Sequence, residues 1–186
     1  MLKNGSKKVK ELLIYSDGGV INNGKKDKTK SVYGSYCSLI VLPKKKTIQK
    51  IFNKVEGDVT NNIMELKGAI VAMNYIVSKI ATKHPEYSLH VTVISDSQYL
   101  IKGCSEWMYN WKKNGWKDSS KKPIKNKELW LQLIKLIKNE VDVTFEFKWV
   151  RGHKGKSVSI EEDSDSYFNE KCDTILSEAL EPYRKL

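Results

Sequence analysis

From Leu12 to Tyr15 the chain runs Leu-Leu-Ile-Tyr without a charged side chain, then breaks into Ser16-Asp17-Gly18-Gly19. An unbroken apolar run suits a strand covered on both faces, the central strand of a sheet with helices above and below. Asp17 is then the first charged side chain at the mouth of that strand. A carboxylate there serves either as a metal ligand or, with Gly18-Gly19, as the start of a tight turn. The run alone leaves both readings open. What tilts the balance is that more carboxylates follow in similar settings.

The first strand is expected over residues 10–16. A lysine-rich loop follows, with Asn22-Asn23-Gly24 as its turn signal. Strands are predicted over 32–41 and 47–55, and the short links make the three an antiparallel meander. Thr60, Asn61 and Asn62 supply caps for a long helix. Leu66, Ile70, Met73, Val77 and Ile80 form its apolar face, and it should end before His84-Pro85. Glu65 is expected in its first turn. A further strand, 89–95, ends in Asp96 just as the first ends in Asp17. A strand reached through a crossover helix pairs in parallel. Beside the first strand, it would bring Asp17 and Asp96 out together.

Residues 107–127 interleave Trp107, Trp111 and Trp116 with Lys112, Lys113, Lys117, Lys121, Lys122, Lys125 and Lys127. A helix over 126–138 carries Leu129, Leu133 and Leu136. Val143, Phe145, Phe147 and Trp149 alternate with polar residues, the pattern of a half-buried strand. A loop holding His153 leads to the acidic patch 161–165, read as a solvated loop. A closing helix over 167–180 presents Phe168, Cys172, Ile175, Leu176 and Ala179, with Asp173 beside that face.

With 186 residues, one domain is expected, its core spanning about 10–180. Lys and Arg exceed Asp and Glu by 11, which favours a polyanionic partner, nucleic acid first. Cys37, Cys104 and Cys172 are odd in number and none lies in a C-x-x-C pair, which points to a reducing compartment and away from a zinc site. No signal peptide and no membrane span are expected. Asp17, Glu65, Asp96 and Asp173 each lie near an element end. Four converging carboxylates repel one another unless cations neutralise them. Oxygen ligands select Mg²⁺ or Mn²⁺, and two such ions roughly 4 Å apart suit phosphodiester hydrolysis. Taken singly, each residue also has a plainer role. Glu65 can be a first-turn acid favoured by the helix dipole, Asp96 and Asn126 can be N-caps, and Trp107 and Trp116 can be core.

Seven stretches in order resemble ribonuclease H of the type 1 class. They are Tyr15-Ser16-Asp17-Gly18-Gly19, Thr60-Asn61-Asn62-Ile63-Met64-Glu65-Leu66, Ser95-Asp96-Ser97-Gln98-Tyr99, residues 107–117, residues 122–126, Trp149-Val150-Arg151-Gly152-His153, and Asn169-Glu170-Lys171-Cys172-Asp173. The resemblance implies an α/β, ribonuclease-H-like fold: a mixed five-stranded sheet flanked by helices, with a basic protrusion; the family's separate N-terminal hybrid-binding domain is not expected, because too little chain precedes the first strand. It implies a metal-dependent endonuclease that cuts the RNA strand of RNA–DNA hybrids; a monomer is expected, in the cytoplasm to which the cysteines point. By the same resemblance Asp17, Glu65, Asp96 and Asp173 hold Mg²⁺, with Mn²⁺ as a substitute, and His153 assists proton movement or product release. Gly18, Gly19, Asn61 and Gln98 would face the RNA strand; Thr60, Asn62, Tyr99, Trp111 and Asn126 would face the DNA strand. Lys112, Lys113, Lys117, Lys121 and Lys122 would form the basic protrusion. Three places depart from the pattern: a long acidic loop after His153, Asp58 where a basic residue is common, and the loop after Gly19, which puts a base contact by Asn23 in doubt.

Overall fold

The computed structural model describes residues 7–22, 31–43, 46–152 and 159–184. Five strands form one sheet in the order β3-β2-β1-β4-β5. They are β1 (Lys8–Ile21), β2 (Tyr33–Leu42), β3 (Lys46–Glu56), β4 (Tyr87–Ser95) and β5 (Val143–Trp149). The first three form the expected antiparallel meander, and β4 and β5 join in parallel on the other side of β1. The helices are α1 (Asn61–Tyr75), α2 (Gln98–Lys102), α3 (Met108–Lys113), α4 (Lys127–Ile137) and α5 (Ser164–Leu180).

The apolar run of β1 is buried on both faces, as its composition demands. Leu12 and Ile14 join the cluster beneath α1, α2 and α4, whereas Tyr15 joins Cys37, Leu39 and Ile94 beneath α5. The two-residue period of a strand sends alternate side chains to opposite layers. At the far edge β3 exposes Lys46, Lys50 and Lys54, and charge on an edge strand discourages pairing with another chain.

Several expectations need correction. β1 does not stop at Asp17. Gly18 and Gly19 remain in the strand, paired with Tyr36 and Ser35 of β2, so no tight turn forms there. Only the ladder to β4 stops, at Tyr15–Ile94. Helix α1 buries Ile76, in the π-helical turn that extends it, while Val77 and Ile80 are half-buried. The small residues Gly68, Ala69 and Ala72 let this helix press onto the sheet over a broad face. In α4 the buried stripe is Trp130, Leu133 and Ile134, with Leu129 and Leu136 on its flanks. Trp149 is exposed at the end of β5. Helix α5 starts at Ser164, three residues before the expected start, because Asp163 caps it by accepting the Ser166 N–H at 3.1 Å.

Candidate active site

The β1–β4 register places Asp17 and Asp96 two residues beyond the last paired residues, Tyr15 and Ile94. Both carboxylates therefore leave the sheet side by side. Helix α1 brings the third. Thr60 caps it, its hydroxyl accepting the Ile63 N–H at 3.3 Å. Glu65 falls in the second turn rather than the first, which weakens the helix-dipole explanation for an acid there. Gly18 explains how close the helix comes. A Cβ on Gly18 would overlap the Glu65 amide nitrogen and the Met64 carbonyl carbon. Glycine is needed here for close approach, not for an unusual φ. Serines complete the seam: Ser38 Oγ donates to the Gly68 carbonyl at 2.9 Å and lies 3.0 Å from Ser16 Oγ.

Asp17, Glu65 and Asp96 each offer an oxygen within 4.8 Å of the others. Asp17 and Glu65 are buried; Asp96 is half-buried. Burial pushes the Asp17 carboxyl up to about 8, helped by the charges of Asp96 and Asp173, against one stabilising bond from the Gly18 N–H. Burial also drives Glu65 well above the carboxylate range, with Asp17 and then Asp96 adding to it. Glu65 Oε2 is buried with no hydrogen-bond partner among the described residues. Such an oxygen is costly unless a cation meets it. An all-oxygen set around an orphaned acceptor fits a hard divalent cation. Asp173 stands outside the 4.8 Å group, yet its charge reaches Asp17. His153 and Asn23 lie outside the described residues.

The Asp96 backbone is held by contacts that the sequence reading missed. The Trp149 indole N–H donates to the Asp96 carbonyl at 3.0 Å, and the Val150 N–H to the Ser95 carbonyl at 3.1 Å. Gly152 lies against the Asp96 carboxylate so closely that a Cβ would overlap Oδ2 and stand 2.8 Å from Cγ. The cap of α2 is Ser97, which accepts the Leu100 N–H at 3.2 Å, so Asp96 is not spent as a cap. Gly152→Ala should therefore displace the Asp96 carboxylate and slow any turnover at this centre by about 100-fold. Kinetics alongside a melting curve will check this, and unchanged turnover would refute the contact.

The other candidates fall into groups. Asn61 is exposed, and its side-chain oxygen accepts the Val20 N–H at 2.9 Å, which ties the start of α1 to β1. Gln98 is exposed in the first turn of α2, and Thr60 and Asn62 are exposed at the start of α1. Tyr99, Trp111 and Asn126 meet around Trp130. The Tyr99 hydroxyl accepts from Trp130 Nε1 at 3.2 Å and from Asn126 Nδ2 at 3.3 Å. Trp111 packs edge-on to Trp130 at 5.3 Å, and Trp107 sits 5.8 Å from Trp111. Asn126 adopts a left-handed conformation (φ 58°) and makes no side-chain cap bond. Trp116 is half-buried against the core. Lys112, Lys113, Lys117, Lys121 and Lys122 are all exposed. The turn beneath them is fixed by Asp118, whose carboxylate accepts the Ser120 and Lys122 N–H groups, each at 2.9 Å.

Known proteins place this arrangement. The profile of the RNase H family matches residues 9–181. Ribonuclease H of Clostridium botulinum is 35% identical over 176 residues, covering 94% of this chain and 99% of that one. Ribonuclease H of Pseudomonas syringae pv. syringae is 37% identical over 142 residues, covering 76% and 83%. Among solved structures, LC9-RNase H1, a type 1 RNase H with the type 2 active-site motif, superposes with a TM-score of 0.62 at 22% identity, covering 94% of this chain and 74% of that one. The match spans nearly every element that builds the acidic centre, and the chain belongs to the ribonuclease H family.

Proposed function

We propose that this chain hydrolyses the RNA strand of RNA–DNA hybrids endonucleolytically, by a two-metal mechanism that leaves 5′-phosphate and 3′-hydroxyl ends. The observation that carries the reading is the meeting of Asp17, Glu65 and Asp96 within 4.8 Å in a chain of net charge +11. Such a cluster beside a phosphate backbone is unfavourable unless divalent cations occupy it. Asp17, Glu65, Asp96 and Asp173 are the proposed ligands, and Mg²⁺ is the proposed metal, with Mn²⁺ as its substitute. Bound there, the ions supply Lewis-acid stabilisation of charge on the phosphate and a hydroxide nucleophile near neutral pH.

The protein's own work is positioning. Asp17 lies within 4.8 Å of both Glu65 and Asp96, held by its bond from the Gly18 N–H at 2.7 Å. Backbone at Gly18 and Gly19, with Asn61 and Gln98, would sense the ribose 2′-hydroxyl, the group that distinguishes RNA from DNA. Thr60, Asn62, Tyr99, Trp111 and Asn126 would hold the DNA strand. His153 would assist proton movement or product release, an assignment supported by its sequence motif. The chain is proposed to work as a monomer with a single catalytic domain in the cytoplasm, where its buried cysteines Cys37, Cys104 and Cys172 stay thiols.

Labelled RNA–DNA, RNA–RNA and DNA–DNA duplexes, each with and without Mg²⁺, test the reading. Only the hybrid should be cut, in its RNA strand and only with metal. Cutting of DNA duplex would favour a transposase-like activity, and hybrid binding without cutting at any Mg²⁺ or Mn²⁺ concentration would favour a binding module. Changing both Lys112 and Lys113 to Ala should weaken hybrid binding whatever its sequence. The slope of log affinity against log salt should shrink by about 1 for each lysine that contacts phosphate. Binding titrations between low and high salt will read that slope.

A further inference from the structure

The sequence assigns the acidic patch after His153 to solvent, but Asp165 is not a solvated loop residue. It is the second residue of α5, the helix that carries Asp173. Its Oδ1 accepts the Tyr15 hydroxyl at 2.7 Å, and its Oδ2 accepts Lys148 Nζ at 2.7 Å. Tyr15 is fully buried in β1, two residues before Asp17, so both side chains leave the strand on the α5 side. Lys148 is the neighbour of Trp149, whose indole holds the Asp96 carbonyl. One carboxylate thus touches the strand that carries Asp17, the strand that braces Asp96, and the helix that carries Asp173.

The two halves of this clasp differ in strength. Lys148 is largely exposed, so water and salt screen its pairing. The Tyr15 half is enclosed: its ring stacks on Phe168 at 4.9 Å, among the apolar residues beneath α5. A buried phenol needs a partner for its hydroxyl. Asp163 fixes the same turn, accepting the Ser166 hydroxyl at 2.7 Å and the Ser166 N–H. The clasp therefore joins a rigid helix start to a rigid strand. Nearer Asp173 the helix meets β1 through Cys172 Sγ, 3.4 Å from the Tyr15 carbonyl, and through the apolar contacts of Cys172 and Leu176.

We propose that Asp165 is a positioning residue for the acidic centre: through Tyr15 and Lys148 it sets how α5, and with it Asp173, approaches the strand ends that carry Asp17 and Asp96. The proposal rests on reading that centre as a divalent-cation site. Residues that orient metal ligands without touching the metal are known to tune affinity.

The test compares wild type with Asp165→Ala, Tyr15→Phe, the double variant and Asp17→Asn. Calorimetric titration with Mn²⁺ in the absence of substrate is run beside melting curves, and kcat and KM for the hybrid are measured across Mg²⁺ concentrations. Asp165→Ala should weaken Mn²⁺ binding by about 10-fold and raise the Mg²⁺ needed for half-maximal turnover, with the hybrid KM unchanged. Tyr15→Phe keeps the ring and its packing, and should give part of the same shift. The double variant should be no worse than Asp165→Ala alone, since Tyr15→Phe removes only a bond that Asp165→Ala has already removed. A clasp that matters only for stability would lower the melting temperature and leave the Mn²⁺ affinity of both single variants at the wild-type value; that result overturns the proposal alone. Wild-type Mn²⁺ binding unaffected by Asp17→Asn overturns the cation reading and takes the proposal with it.

Discussion

Asp17→Asn is expected to cut hybrid cleavage by about 1,000-fold and, in the absence of metal, to make the protein more stable above pH 7. The two effects share one cause. Asparagine matches aspartate in size and its oxygen still accepts the Gly18 N–H, so packing is preserved. What disappears is a negative charge that the fold tolerates poorly. Burial, and then Asp96 and Asp173, push the Asp17 carboxyl up to about 8. In the unfolded chain it titrates near pH 4, roughly the value for a free aspartate. Between those values the folded state holds a proton that the unfolded state has released. Stability must therefore fall as pH rises through this window, by on the order of a few kcal/mol. With chelator present, the melting temperature of the wild type should decline from pH 5 to pH 9. The variant's curve should decline less, though it should still fall, because Glu65 is also held well above the carboxylate range. Saturating Mg²⁺ should lift the wild type at pH 8 more than the variant. Retained Mg²⁺-dependent cutting in Asp17→Asn would sink the site assignment. A wild-type melting temperature that climbs between pH 6 and pH 8 without metal would sink the electrostatic account.

The strands and the long helices were legible because their signals are local. The apolar run at Leu12–Tyr15 requires cover on both faces, and the structure supplies it. Alternation in β5 and the Thr60 cap likewise belong to neighbouring residues. The meeting of Asp17 with Asp96 was legible one step further on, since a crossover helix enforces parallel pairing. What stayed hidden depends on distant partners. Gly18 read as a turn because glycine pairs usually make turns; only the path of α1 shows that it is there to admit a helix backbone. Asp165 read as solvent-facing because its partners Tyr15 and Lys148 lie 150 and 17 residues away. Trp149 read as an inward residue by alternation, whereas its indole reaches along the sheet end to the Asp96 carbonyl. Contacts of that kind leave no periodic trace in the chain.

Gly18→Ala is expected to destabilise the protein strongly, and Gly19→Ala, next to it, far less. The new methyl at residue 18 would lie within the backbone of α1, overlapping the Glu65 nitrogen and the Met64 carbonyl carbon and standing 2.8 Å from Met64 Cβ. Helix backbone cannot swing aside as a side-chain end can. Nor can α1 retreat as a whole. Gly68 meets Ser16 Oγ one turn further on, where an added Cβ would be only 2.6 Å away, and Leu66, Ala69 and Met73 are fully buried in the core. Either the sheet opens or the first turns of α1 distort. The cost should be about 3 kcal/mol, a fall in melting temperature of roughly 10 °C for a domain of this size. Because the clash is with Glu65 itself, the carboxylate cluster should loosen, and cleavage should drop by about 100-fold even at temperatures where the variant is folded. At Gly19 the added methyl would meet, among the described residues, only Leu176 Cδ1, at 3.0 Å, the movable end of a side chain. That substitution should cost under about 1 kcal/mol and leave turnover near wild type. Melting curves and kcat for the two variants, measured side by side, separate a helix seated on the strand from a merely crowded turn. Equal effects at both positions would show that the approach of α1 to β1 does not set the place of Glu65.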